Sequence, residues 1–272
     1  MLSPEQIASF KKNGYLLGGK VLTDEQVEVL RGETLRVIGD RANKDVKQPV
    51  LCHQMGNPAS PIWQIVNIWQ ASEPFFKVAL SNPTICEEVA QLHDDAEQLR
   101  IWHDQIQYKE AGTGGVNNWH QDSPYWGILT PKHAQVTAWV ALDDVDESNG
   151  CMSMVPGSHL WGNHVEYVQS VAKDDFTQMR HVGEWNGHKI EVVFTPVKKG
   201  HVHYHHSLTW HGSHANTSDR PRRAIALHYM TNQTRYVAGG NHVMKQFVNV
   251  KDGEVLTGEA FPFVYERAAV PV

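Results

Sequence analysis

The stretch Trp119-His120-Gln121-Asp122 is the part of this chain that says most about its fold and its chemistry. Side chains alternate between the two faces of an extended strand, so His120 and Asp122 are predicted to point to the same side. His211 lies further along the same β-rich half of the chain. Two histidines and one carboxylate form the facial set that is typical of non-heme Fe(II), and this set leaves positions for a co-substrate and O₂. The sequence therefore predicts an iron centre formed by His120, Asp122 and His211.

Arg222, which follows His211, predicts the identity of the co-substrate. The planar guanidinium of an arginine donates two parallel hydrogen bonds to a carboxylate, and it does so better than the ammonium group of a lysine. 2-Oxoglutarate would chelate iron through one carboxylate and its keto oxygen, and its distal carboxylate would need a buried cation. The residues thus indicate an oxygenase that uses Fe(II), 2-oxoglutarate and O₂.

The composition of the chain excludes several classes of partner. The chain has 272 residues and a formal net charge of −6, so no excess of basic residues points to nucleic acid or to an anionic membrane. A run of about 18 apolar residues is absent, which argues against a membrane span. The N-terminal residues lack the apolar core of a secretory signal. Three cysteines without motif spacing are expected to be free thiols in a reducing compartment, so we expect a cytoplasmic protein.

Histidine is unusually frequent, with 17 residues in the chain. Six of them fall within residues 201–214, where most are expected to be hydrogen-bonded core residues and not ligands. His103, His203 and His205 lie at strand positions that could face a substrate, although core positions fit the pattern at least as well. Tyr125 and Trp126, just after the metal motif, are the aromatic residues that we most expect to line a substrate pocket.

Helix signals are concentrated in the first third of the chain. Ser3-Pro4-Glu5-Gln6 and Thr23-Asp24-Glu25-Gln26 are capping-box patterns, the first with proline at the first helical position. A third helix is predicted over residues 83–92. Residues 46–60 are rich in turn-forming Pro and Gly, and they are predicted to form a loop over the site.

The hydrophobic period changes to two from about Leu99. Along the first strand, one face is predicted to carry Ile101, His103, Gln105 and Gln107, and the other Trp102, Ile106 and Tyr108. Further strand candidates are residues 118–122, 135–142, 151–155, 189–195, 201–207, 213–216 and 223–230. Several short strands separated by turns predict a sandwich or barrel, with the helices packed on one face. Because no repeat or linker divides the sequence, a single domain is expected over residues 1–272.

Three motifs carry a resemblance to a known family. They are Trp119-His120-Gln121-Asp122-Ser123-Pro124-Tyr125-Trp126; Asn149-Gly150-Cys151-Met152 with Val155-Pro156-Gly157-Ser158-His159; and His211-Gly212-Ser213-His214-Ala215-Asn216-Thr217-Ser218 with Arg222-Arg223-Ala224. In this order they resemble the motifs of the phytanoyl-CoA dioxygenase family. The resemblance implies a mainly β fold with flanking helices and a double-stranded β-helix core, which is a jelly-roll or cupin-like architecture. It implies a largely helical part over residues 1–95, the jelly-roll core over 96–235 and a C-terminal segment over 236–272.

The resemblance also assigns site residues and an activity. The positions that match the metal and cofactor contacts of the family are His120, Asp122 and His211 for Fe(II), Arg222 and Ser213 for the distal carboxylate of 2-oxoglutarate, and Trp139 and Gln105 along the co-substrate pocket. The implied activity is the hydroxylation of a small-molecule substrate, with release of succinate and CO₂. Related halogenases have a small residue in place of the acid, so the presence of Asp122 favours hydroxylation over halogenation.

Several alternatives stay open at the level of the sequence. Desaturation, ring closure and epimerisation depend on the same iron chemistry. A cupin-like metalloenzyme that does not use 2-oxoglutarate and a binding protein with a vestigial site are two further hypotheses. No motif identifies the substrate, and specificity is expected in the loops over residues 46–60, 161–184 and 239–259. The polar residues near the iron ligands favour a polar or amphipathic metabolite over a long acyl chain.

Overall fold

The first helices begin where the capping signals predict. In the computed structural model, which describes residues 1–94 and 96–267, the side chains of Ser3 and Thr23 each accept a hydrogen bond from the backbone three residues later. They begin helices α1 (Pro4–Asn13) and α2 (Asp24–Gly39). Helix α3 spans Pro83–Leu92, as predicted.

Strands make up most of the remaining regular structure. They are β1 (Tyr15–Lys20), β2 (Leu51–Asn57), β3 (Ser60–Val66), β4 (Gln98–Lys109), β5 (Asn117–His120), β6 (Leu129–Thr130), β7 (Gln135–Ala141), β8 (Met152–Met154), β9 (Glu184–Trp185), β10 (His188–Lys189), β11 (Val193–Thr195), β12 (His201–His206), β13 (His211–Ser213), β14 (Arg222–Thr231), β15 (Arg235–Tyr236) and β16 (Phe263–Glu266). A short helix, α4 (Val165–Val171), and a π-helical turn, Phe75–Leu80, complete the longer elements. The mainly β architecture with flanking helices is as predicted.

Most strands pair antiparallel in one larger and one smaller sheet, and β9–β10 and β6–β15 form two separate pairs. The larger sheet has the order β1-β12-β7-β14-β4-β3-β2, with β16 also paired to β4, and the smaller sheet has the order β11-β8-β13-β5. Residues of both sheets line a cavity of about 600 Å³. The two sheets therefore hold the site between them, and the smaller sheet sets His211 opposite His120 in the β13–β5 register.

Alternation along the strands divides the larger sheet into a helix-packed face and a cavity face. In β14, Ile225 and Leu227 belong to the main hydrophobic core, whereas Ala226 and His228 line the cavity. The first three helices cover the core side, because Leu30 of α2 and its neighbours in α1 and α3 are buried in the same cluster. Burial of each apolar side chain in this core stabilises the fold by about 1.5–3 kcal/mol. Because the helix-packed face supplies this stabilisation, the cavity face can carry polar residues.

Residues 46–60 do not form the predicted loop. They contain β2 and the start of β3, which pair from Leu51 opposite Val66 to Asn57 opposite Ser60. The hairpin extends the larger sheet and still reaches the site, because Leu51 and Met55 line the cavity. The division into a helical part over residues 1–95 and a β core over 96–235 is therefore too sharp, since β1, β2 and β3 belong to the larger sheet.

A β-bulge changes the predicted faces of β4. The pairing with β14 shifts register so that His103 lies opposite His228 and Ile101 opposite Tyr229. The predicted alternation is wrong around this point. Ile101 packs in the helix-side core, while Trp102 packs in a separate cluster with residues of the C-terminal segment. Two predicted strands also differ. Residues 189–195 form parts of β10 and β11, and the strand predicted at 213–216 lies instead at His211–Ser213, as β13.

Candidate iron centre and co-substrate site

The structure brings the three predicted metal ligands together. Ligand atoms of His120, Asp122 and His211 all lie within 4.8 Å of one another. Asp122 Oδ1 is 3.5 Å from His120 Nε2 and 3.6 Å from His211 Nε2. Neighbouring ligands of an ion bonded at about 2.1 Å lie about 3 Å apart, so a small inward movement suffices to bind a metal ion. The donor set and its geometry fit Fe(II).

The local reason for this proximity differs from the predicted one. Strand β5 ends at His120, and Asp122 has helical backbone angles at the start of a short 3₁₀ turn. The backbone amides of Asp122 and Ser123 donate hydrogen bonds to the carbonyl oxygen of Ser207 at 2.9 and 3.0 Å. The strand predicted over residues 118–122 is therefore too long, and a tertiary contact, not strand alternation, places the carboxylate.

Backbone carbonyl groups orient both imidazole rings. The Nδ1 atom of His120 lies 2.7 Å from the carbonyl oxygen of Asn118, and that of His211 lies 2.9 Å from the carbonyl oxygen of Thr209. Each Nδ1 must donate to its carbonyl, which leaves Nε2 as the acceptor that can bind a metal ion. Both Nε2 atoms face Asp122.

Burial and local charge set the protonation states of the ligands. Burial lowers the pKa of His211 well below its usual value, so this ring is neutral and able to bind metal. Burial also lowers the pKa of His120, but contact with Asp122 outweighs it and the net shift is upward. Burial raises the pKa of Asp122, yet His211, His120 and His205 together hold it well below its usual value. The carboxylate is therefore ionised.

The second oxygen of Asp122 is held by residues of the larger sheet. Thr137 donates a hydrogen bond to Asp122 Oδ2 at 3.1 Å, and His205 Nε2 lies 3.2 Å from the same atom. The Thr137 hydroxyl is also 2.8 Å from His228 Nδ1. These contacts leave Oδ1 directed at the two histidine ligands. Outer-shell partners of this kind orient ligands and tune metal affinity.

A buried cation lies beyond the metal ligands. Arg222 is fully buried, and its Nη2 donates to Gly150 O at 3.1 Å and Ser213 Oγ at 3.4 Å. Its Nε and Nη1 atoms have no hydrogen-bond partner among the described residues. Trp139 packs against it, with the guanidinium 4.9 Å from the ring centroid. A buried guanidinium with free donors is costly without an acceptor, and a carboxylate supplies that acceptor.

Lys109 is a second buried cation at this end of the site. Its Nζ atom donates to Ser213 Oγ at 2.7 Å and to the carbonyl oxygens of Ser213 and His214 at 3.1 and 2.6 Å. Burial and the nearby charge of Arg222 lower the pKa of Lys109 well below its usual value. Lys109 thus holds Ser213 in place beside Arg222. No local sequence pattern indicates Lys109, because only the β4–β14 register sets it opposite Arg222.

Most of the residues singled out in the sequence lie at the cavity. Ser213, Trp139 and Gln105 line it together with the three ligands, and so do Tyr125, Trp126, His103 and His205. His203 is fully buried and is not part of the cavity wall. Thr137 and His228 were missed, since the contacts of Thr137 with Asp122 and of His228 with Thr137 depend on strand pairing. Each of the three predicted specificity loops contributes to the wall, through Leu51 and Met55, Gln169, and His242 and Val243.

Comparison with known proteins gives the family of the chain. The sequence profile of phytanoyl-CoA dioxygenases matches residues 10–224, which is most of the chain.

The chain belongs to the phytanoyl-CoA dioxygenase family.

Two curated relatives match over most of this chain. Peroxisomal phytanoyl-CoA dioxygenase of Rattus norvegicus is 24% identical over 249 residues, covering 88% of this chain and 71% of the relative. Ectoine dioxygenase of Bordetella bronchiseptica is 23% identical over 242 residues, covering 84% and 75%. Phytanoyl-CoA dioxygenase domain-containing protein 1 of Danio rerio is 30% identical over a shorter stretch, covering 60% of this chain and 55% of that protein.

A solved structure is similar over nearly the whole chain. The non-heme alpha-ketoglutarate-dependent carbocyclase SnoK from nogalamycin biosynthesis is 27% identical, with a TM-score of 0.77 and coverage of 97% of both chains. The predicted jelly-roll fold is confirmed, and so is the predicted class of iron- and 2-oxoglutarate-dependent oxygenase. Within the described part of the chain, no helix is long and apolar enough to cross a membrane.

Proposed function

We propose that this phytanoyl-CoA dioxygenase family member hydroxylates a small-molecule metabolite. One C–H bond of the substrate becomes C–OH, while 2-oxoglutarate and O₂ become succinate and CO₂. The observation that carries the proposal is the His120, Asp122 and His211 set together with the unpaired guanidinium of Arg222. A metal site alone would fit many metalloenzymes. A buried arginine with free donors would in addition bind the distal carboxylate of a dicarboxylate co-substrate.

We assign each site residue a role in this reaction. His120, Asp122 and His211 would hold the iron, which on binding 2-oxoglutarate and O₂ supplies the oxidant for the substrate C–H bond. Arg222 and Ser213 bind the distal carboxylate of 2-oxoglutarate.

Trp139 and Gln105 form the wall along which the co-substrate lies. Trp139 also packs against Arg222 and limits the access of water to it.

Asp122 favours hydroxylation over halogenation. Its Oδ1 faces both histidine ligands, so it occupies the position that a halide would need. We expect the Asp122→Gly variant with added chloride to admit halide, and mass spectrometry of the product detects a carbon–halogen bond. A product that carries only oxygen under these conditions would refute this role of Asp122.

Ring closure is the second candidate outcome, which the similarity to the carbocyclase SnoK favours. Desaturation and epimerisation depend on the same iron chemistry. Mass spectrometry separates these outcomes from hydroxylation. A hydroxylated product gains one oxygen atom, a cyclised or desaturated product loses two hydrogen atoms, and an epimer keeps the mass of the substrate.

Anaerobic iron binding and succinate release, measured together, test the proposed function. An oxygenase binds Fe(II) and releases succinate from 2-oxoglutarate once O₂ is admitted. Iron binding without succinate release would point to a metalloenzyme that does not use 2-oxoglutarate. Absence of iron binding would point to a binding protein with a vestigial site. Either of the last two results refutes the proposal.

The setting of the enzyme is also part of the proposal. We infer a cytoplasmic enzyme that acts on a small molecule without nucleic acid or membrane partners, because the net charge is −6 and the cysteines are unpaired. We also propose that residues 1–272 form one domain. The strands β1 and β16, from the two ends of the chain, both join the larger sheet, which supports a single unit.

A further inference from the structure

Beyond the proposed co-substrate site, the cavity has a further wall whose residues have no role in the proposed iron chemistry. We call this the outer wall and define it by Met55, Gln64, Val66, His103, Trp126 and His242. The β2–β3 hairpin contributes the first three of these residues. The others come from β4, from the turn after the metal motif and from the C-terminal segment.

The outer wall carries no permanent charge. In the part of the chain that the structure describes, no lysine or arginine side chain lines the cavity, and Asp122 is its one carboxylate. Two lysines that contact the backbone of outer-wall residues have their ammonium groups bound to carbonyl oxygens. Lys132 donates to the carbonyl oxygen of Trp126 at 2.7 Å, and Lys245 donates to two backbone carbonyl oxygens at 2.8 and 2.9 Å. Arg222 lies beneath Trp139 at the co-substrate end.

The histidines of the outer wall are neutral near pH 7. Burial lowers the pKa of His103 well below its usual value, and nearby histidines lower it further. Burial and the charge of Lys132 lower the pKa of His242 to about 4. The two rings stack with centroids 5.5 Å apart. They therefore offer aromatic surface and single hydrogen-bonding nitrogens, not positive charge.

The outer wall combines apolar surface with amide groups. Gln64 lies directly opposite Gln107 in the β3–β4 register, and both side chains line the cavity. The Gln64 carbonyl oxygen accepts a hydrogen bond from His53 at 2.9 Å, which leaves its amide N–H groups free. The side chain of Gln107 has no hydrogen-bond partner among the described residues. Met55 and Val66 supply the apolar surface beside these amides.

We propose that the outer wall selects an uncharged substrate that has an apolar face and hydrogen-bonding oxygen or nitrogen atoms. Polyanionic molecules such as CoA thioesters are excluded, because an anion at the outer wall, away from Arg222 and the metal ligands, would lose its hydration without gaining a counter-ion. A cavity of about 600 Å³ has room for 2-oxoglutarate and a ligand of moderate size. The inference rests on the proposed function, since it takes this cavity as the substrate site.

Calorimetric titration with a matched series of probes tests the inference. The probes are 2-naphthalenemethanol, 2-naphthylmethylamine and 2-naphthalenesulfonate, which share a ring and differ in charge. The alcohol is expected to bind at least about tenfold more tightly than the cationic amine or the anionic sulfonate. A second pair, S-octanoyl-N-acetylcysteamine and octanoyl-CoA, compares one acyl thioester without and with the nucleotide. Tighter binding of either charged naphthyl probe or of octanoyl-CoA, or no binding of the neutral probes, overturns the inference.

A charge placed in the outer wall should reverse this selectivity. Gln64→Lys sets an ammonium group beside Gln107, and the sulfonate is then expected to bind at least about tenfold more tightly than to the wild type. Gln54→Lys is the matched control, because Gln54 lies on the same hairpin, is exposed and does not line the cavity. Equal sulfonate binding by the two variants would show that the outer wall does not contact the probe and would refute the inference.

The titrations are made both on the metal-free protein and on the protein with Fe(II) and 2-oxoglutarate under anaerobic conditions. Succinate is then measured after O₂ is admitted to the samples that contain Fe(II) and 2-oxoglutarate. Selective binding of the neutral probe without succinate release would support the outer wall and refute the oxygenase proposal. Succinate release together with tighter binding of a charged probe would support the oxygenase proposal and refute the inference about the outer wall. The two failures are thus distinguishable.

Discussion

Replacement of Arg222 by methionine gives a quantitative test of the co-substrate site. Without 2-oxoglutarate, the variant loses the two hydrogen bonds from Nη2, to Gly150 and Ser213, each of which contributes about 1.5–3 kcal/mol because the donor is charged. It also removes the buried and unpaired Nε and Nη1 donors, each of which costs about 1–3 kcal/mol. These contributions nearly cancel. The free energy of unfolding of the metal-free protein is therefore expected to change by less than about 1–2 kcal/mol.

With 2-oxoglutarate the two proteins should differ strongly. Two charge-assisted hydrogen bonds contribute at least about 3 kcal/mol, so Arg222→Met should weaken co-substrate binding about a hundredfold or more. At a co-substrate concentration about 100 times the wild-type Kd, ligand binding stabilises the wild type by about 2.7 kcal/mol and the variant by about 0.4 kcal/mol or less. Urea unfolding under anaerobic conditions with Fe(II), with and without 2-oxoglutarate, measures both quantities.

Arg220→Met is the matched control for this experiment. Arg220 is exposed and pairs with Asp146 at 2.7 Å, away from the cavity. The control should keep the full stabilisation by 2-oxoglutarate. If Arg222→Met keeps it as well, Arg222 does not bind the distal carboxylate. If Arg222→Met lowers the free energy of unfolding of the metal-free protein by more than about 3 kcal/mol, the buried guanidinium stabilises the fold and the two contributions do not cancel.

Three further predictions follow from the contacts around the site. In chloride-free buffer, Asp122→Ala should abolish Fe(II) binding while circular dichroism shows an unchanged fold; binding with wild-type affinity would remove Asp122 from the metal site. Thr137→Val, which deletes the hydrogen bond to Asp122 Oδ2, should weaken Fe(II) binding about 10–100-fold in an anaerobic titration, and an unchanged Kd would show that this contact does not orient the ligand. Burial and neighbouring histidines lower the pKa of His206 to about 3. As the pH falls, this imidazole is protonated in the unfolded chain before it is protonated in the folded protein. The free energy of unfolding therefore falls as the pH drops below about 6.5, by up to about 1.4 kcal/mol per pH unit. His206→Asn should flatten this slope in urea unfolding between about pH 7 and about pH 4, and an equally steep slope would contradict the assignment.

The sequence predicts which three candidate ligands lie together better than it predicts the reason they meet. The motif identifies His120 and Asp122, but β5 ends between them, and Ser207 fixes the turn that positions Asp122. The carbonyl group of Ser207 is more than eighty residues away along the chain, so no local pattern indicates it. For the same reason Lys109 and Thr137 escape sequence analysis, because their contacts exist only once the strands have paired.

Turn-forming residues and a bulge explain the main errors in the predicted fold. Proline and glycine in residues 46–60 indicate turns, but they lie at the ends and edge of an antiparallel hairpin at the rim of the larger sheet. Strict period-two alternation cannot anticipate the bulge beside Trp102, because the extra residue is set by the register with β14. The helices were predicted well, since capping boxes are local signals whose hydrogen bonds span three residues.

The most direct test of the account is the visible spectrum of the protein after anaerobic addition of Fe(II) and then 2-oxoglutarate. Bidentate binding of 2-oxoglutarate to iron gives a weak charge-transfer band. This band is expected in the wild type. It should be absent in Asp122→Ala and should appear in Arg222→Met only at much higher 2-oxoglutarate concentrations. Iron binding without any such band in the wild type would contradict the co-substrate assignment on which the proposed function depends.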